Sequence, residues 1–196
     1  MASTIWDKIG GFAAASASTA AQRPPRLEEE VVSLFDQLRS PVLRYLFSFR
    51  IPAPDAEEIV QEVFLSLFQH LRQGKSRANL QGWVFRVAHN LALKHRTRIR
   101  RQAEHLSHLP AAGVSGDLTP GPQERMEVIE RQQCLLAVVR AMPEQDQCCL
   151  SLRAEGLRYR EIAEVLGMSL GAVANSLERA LSRLARADRY WGNHAP

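Results

Sequence analysis

The chain lacks the features that would give it covalent chemistry of its own. Its 196 residues hold no phosphate-binding loop ending in Gly-Lys-Ser or Gly-Lys-Thr and no GxGxxG turn. No Ser, His and Asp set carries an activating local motif. Cysteine is scarce: Cys134, Cys148 and Cys149 are an odd number with no CxxC spacing, which excludes a disulfide framework and a thiolate zinc site. They read as reduced, buried side chains, with a redox switch at the vicinal Cys148 and Cys149 as the sharper alternative. His105 and His108 have HxxH spacing, but no cysteine or further histidine lies nearby, so no metal is expected. Long apolar runs are missing too. Nothing approaches the roughly eighteen residues that span a bilayer, so no membrane insertion is expected. The small-residue stretch GGFAAASASTAA follows Asp7 and Lys8 and is too weakly apolar for a signal peptide. Strand-like alternation and internal repeats are absent. The expectation is a cytoplasmic protein that is not an enzyme and needs no cofactor.

Helical periodicity is what the chain does have. A hydrophobic content of 45% and a charged content of 23% suit a globular protein. The net charge of +4 and a pI near 9.3 permit a polyanionic partner. Residues 1–26, rich in Ala, Ser and Gly, read as a disordered tail. Apolar residues from Val31 to Phe47 then recur at three- and four-residue steps, with Pro41 expected to bend or break the segment. The next helix, DAEEIVQEVFLSLFQHLR, opens on Asp55 and Glu58 as a capping box. Its stripe is Ile59, Val60, Val63, Phe64, Leu67, Phe68 and Leu71, and its polar face is acidic. After a loop bracketed by Gly74 and Gly82 comes WVFRVAHNLALKHRTRIRR, aromatic at its start and basic at its end. One of Trp83 and Phe85 is expected in the core. Residues 103–122 hold Pro and Gly without a helical stripe and read as a flexible linker. Helical pattern resumes from Gln123, Pro143 suits a first helical position, and Gly156 suits a helix end.

Two segments carry nucleic-acid chemistry. Single-strand binders pair cations with aromatic faces on which bases stack. Trp83 and Phe85, with Arg72, Lys75 and Arg77 before them and Lys94, Arg96, Arg98, Arg100 and Arg101 after, supply both types. A solvated basic face on a plain bundle is the bland alternative. The second segment, YREIAEVLGMSLGAVANSLERALSRL, has helix-turn-helix spacing. Ala163 is small at the crossing, Gly167 suits the turn, Ser169 can cap the second helix, and Val173, Leu177, Leu181 and Leu184 would pin it. Its early exposed residues would be Leu170, Ala172, Ala174, Asn175 and Glu178, with Asn175 able to contact adenine. Cations there are few until Arg179, Arg183 and Arg186, although Arg153, Arg158 and Arg160 could contribute, so this module alone should bind DNA weakly.

At these residues the chain resembles the extracytoplasmic-function group of bacterial sigma factors, within the sigma-70 family. DAEEIVQEVFLSLF is similar to the region 2 docking helix, and GWVFRVAHNLALKHRTR to the promoter-melting helix. The stretch from Met142 to Leu184 is similar to region 4. The resemblance implies an all-α fold of two small helical domains joined by a flexible linker. Region 2 would occupy 27–102 and region 4 would occupy 123–190, with a tail at 191–196. It implies a subunit that binds core RNA polymerase and directs promoter-specific initiation. Asp55, Glu58, Gln61 and Glu62 would meet the largest subunit. Lys75, Arg77, Asn79, Trp83, Arg86, Asn90, Lys94, Arg96 and Arg98 would open the −10 element. Arg158, Arg160, Ser169, Ala172, Ala174, Asn175, Arg179 and Arg183 would serve the −35 element, with region 4 also on the second-largest subunit. An anti-sigma factor is a further implied partner.

The chain departs from the family pattern at several places. Ala174 and Ser176 stand where the family usually has Lys and Arg, and Glu178 where it has a basic residue or His. Lys94 replaces a common acidic residue. The N-terminal tail is longer than a minimal member needs. A stand-alone helix-turn-helix regulator and a helical adaptor are the competing readings. The cation-poor second helix argues against the first, and the aromatic–basic helix against the second.

Overall fold

The computed structural model describes residues 27–105 and 123–194. The expected tail at 1–26, most of the linker and His108 lie outside the described residues. Seven helices follow in order: α1 (Leu27–Ser48), α2 (Ala53–Arg72), α3 (Leu80–His105), α4 (Gln123–Arg140), α5 (Glu144–Ala154), α6 (Tyr159–Leu166) and α7 (Leu170–His194). Among the described residues there is no strand, and no helix is long and apolar enough to cross a membrane.

Helices α1, α2 and α3 form the first unit. The α2 stripe packs inward as its periodicity requires: Ile59, Val60, Val63, Phe64, Leu67 and Leu71 are all buried. Against it lie Leu38, Val42 and Leu46 of α1 and Val84, Phe85, Ala88 and Ala92 of α3. Phe35 meets Phe64 edge-on, with centroids 4.9 Å apart. Tyr45, fully buried, sends its hydroxyl to Nδ1 of His89 at 2.8 Å and packs edge-on against Phe49 and Phe85. Burial lowers the His89 pKa and favours its neutral ring.

Four local expectations are corrected. Pro41 does not break α1, which runs unbroken past it. Gln37, whose carbonyl loses its donor to Pro41, is exposed to water, while Leu38, Val42 and Leu46 hold the helix on α2. Val32 and Phe47 lie on its exposed side. Asp55 caps nothing, because α2 already starts at Ala53 behind Pro52 and no side chain caps it. Helix α3 starts three residues before Trp83 and runs to His105, into the expected linker, while α7 continues through the expected tail to His194. Pro143 sits just outside α5 as its N-cap rather than as its first residue.

Helices α4 to α7 form the second unit, with α7 packed against α4, α5 and α6. The tight turn between α6 and α7 is as expected. Gly167 takes φ 64°, its N–H bonds back to the Ala163 carbonyl, and Ser169 Oγ accepts the Ala172 N–H at 3.2 Å. Val173 and Leu177 are buried, but Leu181, expected to pin the helix with them, is 54% exposed. The two units touch: α1 packs on α5 and α3 on α6. Arg44 grips Glu155 with bonds of 2.9 and 2.6 Å, Gln81 Nε2 donates to the Glu155 carbonyl at 3.2 Å, and Arg96 pairs with Glu144.

Candidate nucleic-acid and polymerase interfaces

The acidic face of α2 is available. Glu58, Gln61 and Glu62 are exposed on the side opposite the buried stripe. Asp55 is set apart from them. It is half-buried, with Oδ2 3.2 Å from Nε2 of buried His95, at a cleft of about 580 Å³ that Phe49, Arg96 and Glu144 also line. Glu57 pairs with Arg39 of α1, so among the described residues the unpaired acids of this face are Glu58 and Glu62.

The aromatic–basic helix is set by a cap that the sequence did not reveal. Asn79 takes φ 52° and its Oδ1 accepts the Gly82 N–H at 3.0 Å. A Cβ on Gly82 would fall 2.4 Å from the Asn79 amide, so this close approach requires glycine. The cap aims α3 so that Phe85 is buried and Trp83 is half-buried on the ring of His70, with centroids 4.7 Å apart. One aromatic, Phe85, is therefore core, as expected, while Trp83 packs half-buried at the edge of that core. Lys75, Arg86, Asn90, Lys94 and Arg98 are exposed. Two other candidates are engaged: Arg77 with Glu30 of α1 at 3.3 Å, and Arg96 with Glu144 of α5.

The second helix of the helix-turn-helix is α7. Arg158, Arg160, Ser169 and Asn175 are exposed, whereas Ala172, Ala174 and Arg183 are partly buried. Arg179 is half-exposed, and its guanidinium reaches back to Asp146 of α5 with bonds of 2.7 and 3.3 Å, and to Ser176 Oγ at 3.0 Å. Asp146 and Ser176 are fully buried. Burial would raise the Asp146 pKa, but hydrogen bonds from Arg179 and Ser176 and the Arg179 charge hold it below its ordinary value. The sequence reading missed this network because its members lie about thirty positions apart. The available signal was Asp146 itself, an acid standing among the inward positions of α5.

The cysteines behave as expected. All three are free, and Cys148 and Cys149 are buried. Burial pushes the Cys148 thiol up to about 12 and raises Cys149 as well, so both stay protonated at neutral pH and are poor nucleophiles. Among the described residues no acid, histidine and cysteine group could hold a metal.

Comparison with known proteins assigns the class. Residues 34–102 match the model of sigma-70 region 2 and residues 132–184 that of sigma-70 region 4. Together the matches span well over half of the chain, which belongs to the sigma-70 family, in its extracytoplasmic-function group. The "Probable RNA polymerase sigma factor RfaY" of Xanthomonas campestris pv. campestris is 31% identical over 155 residues, covering 72% of this chain and 37% of that protein. The chain thus spans little more than a third of that relative. The ECF RNA polymerase sigma-E factor of Escherichia coli K12 is 25% identical over 143 residues, covering 69% of this chain and 74% of that protein. Among solved structures, the sigma factor RpoE in complex with the anti-sigma factor NepR from Bartonella quintana shares the fold. Its TM-score is 0.57 at 14% identity, covering 82% of this chain and 96% of that one.

Proposed function

We propose that this chain is a promoter-specificity subunit that binds core RNA polymerase in the cytoplasm and directs initiation at a particular set of promoters. The observation that carries this reading is the joint presence of both sigma-70 regions, in order, on one chain. Glu58, Gln61 and Glu62 form an exposed acidic face for the largest subunit, complementary to a basic partner. Asp55 contributes from its border by way of His95. Trp83, at the surface with Arg86 and Asn90 one turn or two beyond it, offers a stacking face and polar contacts to an opened −10 strand. The exposed cations Lys75, Lys94 and Arg98 would track its backbone, with Arg77 and Arg96 joining once released from Glu30 and Glu144.

Region 4 would place α7 in the major groove at the −35 element, with Arg158 and Arg160 on phosphates, and would also rest on the second-largest subunit. The polymerase supplies the catalytic groups, so this chain acts by positioning and strand separation. An anti-sigma factor is a further expected partner. The domains would run from 27 to 102 and from 123 to 190. The test is co-elution of the purified chain with core polymerase on a sizing column at moderate salt. A comigrating complex supports the proposal. A chain that elutes alone yet binds duplex DNA points instead to a stand-alone regulator.

A further inference from the structure

The departures at Ala174, Ser176 and Glu178 become informative once α7 has an inside and an outside. Val173, Ser176, Leu177 and Ala180 face inward and are buried. Gly171, Asn175, Glu178 and Ser182 are exposed at spacings of four, three and four, which is one continuous face of a helix. Ser176 therefore cannot stand in for a groove-reading cation: it lies against α5, bonded to Arg179. Arg179 does not reach forward freely either, since Asp146 holds it from behind. Gly171 has open space where a Cβ would be, so the first turn of α7 can approach DNA closely.

Three polar side chains remain on that face; the Ser182 hydroxyl can bond any base edge, so Asn175 and Glu178 are the two that can discriminate. Asn175 and Glu178 are both exposed, and neither forms a side-chain hydrogen bond or an ion pair with another described residue. Glu178 has Ala174 and Ser182 four positions away on either side, so no cation on its own face neutralises it. A carboxylate carried among phosphates is repelled unless a donor meets it. In the major groove a carboxylate accepts from the cytosine N4 amino group, while Asn pairs bidentately with adenine N6 and N7. Three residues of helix rise about 4.5 Å, against about 3.4 Å per base pair, so the two side chains address neighbouring pairs.

We propose that Asn175 and Glu178 set the −35 preference of this sigma factor, Asn175 selecting adenine and Glu178 selecting cytosine at adjacent positions. This rests on the region 4 reading of α7. Glu178 acts mainly by exclusion: a base edge that offers only acceptors leaves its carboxylate repelled and without a donor, so binding there is lost. Each contact discriminates by about 5- to 150-fold against the wrong base.

The test uses core polymerase reconstituted with the full-length chain on a promoter library randomised across the −35 window, read by sequencing the transcribed templates. The expected result is enrichment of neighbouring adenine and cytosine positions. Glu178→Gln should move the cytosine preference to adenine, because glutamine reads adenine, and Asn175→Ala should flatten only the adenine position. Initiation with no cytosine enrichment, or an unchanged profile with Glu178→Gln, overturns the proposal while leaving the sigma reading intact. Failure to initiate on any template, with core binding absent as well, overturns both. Circular dichroism of the two variants separates loss of fold from loss of contact, and both sites are exposed.

Discussion

The unit of α1, α2 and α3 is held by a wide apolar interior in which Val42, Leu46, Val63 and Leu67 are fully buried and the deepest polar group is the Tyr45 hydroxyl. The unit of α4 to α7 instead buries a carboxylate, Asp146, and ties α7, the second helix of the helix-turn-helix, to it through Arg179 and Ser176. In the first unit, the candidate binding residues stand on helices whose shared interior is apolar, with polar contacts such as the Asn79 cap at its edge. In the second, α7 is held by buried Val173, Leu177 and Ala180 and also by a buried charge. The two units should therefore respond differently to truncation, to acid and to substitution at their binding faces.

The largest difference should come from the apolar interior. Leu46→Ala should destabilise the protein by about 3 kcal/mol in urea unfolding, because Leu46 is completely enclosed. Trp83→Ala should slow promoter opening about tenfold by removing a stacking face, with polymerase binding unchanged, since Trp83 is only half-buried at the edge of the core. Loss of both activities would place Trp83 among the structural residues instead. Asp146→Asn should lower the melting temperature by about 5 °C by weakening a buried polar network.

That last variant also carries a pH signature. The folded pKa of Asp146 is depressed, so its contribution is complete above the ordinary value of 3.8 and is lost as pH falls through the lower folded value. Acid unfolding of Asp146→Asn should lack that component. Gly167→Ala should cost about 1 kcal/mol by chemical denaturation, through left-handed strain at φ 64°, since no neighbouring atom obstructs the added methyl. The smallest effect should be that of Glu62→Lys, at an exposed acid of the proposed docking face. It should weaken polymerase affinity about fivefold in a binding titration and leave stability unchanged.

Much of this was legible locally. The α2 stripe, the Gly167 turn and the Ser169 cap depend on residues within one or two turns of each other, so spacing alone revealed them. The errors arose where distant packing prevailed. Pro41 was expected to interrupt α1, but contacts with α2 carry the helix through. Asp55 looked like a cap because Glu58 follows it, yet Pro52 and Ala53 start the helix earlier and Asp55 turns to His95, forty residues on. The four-residue step from Leu177 to Leu181 suggested that both were buried, whereas Leu177 is buried and Leu181 is exposed. Arg179 was read as a phosphate ligand from its type and place. Its tie to Asp146 was invisible because nothing in the local pattern of either segment names the other.

Strand separation is the central claim, and permanganate footprinting of a promoter bound by reconstituted polymerase tests it most directly. The account predicts unpaired thymines in the −10 region only when this chain is present, and their loss with Trp83→Ala. Thymines that stay paired in a complex of polymerase, chain and promoter would contradict it.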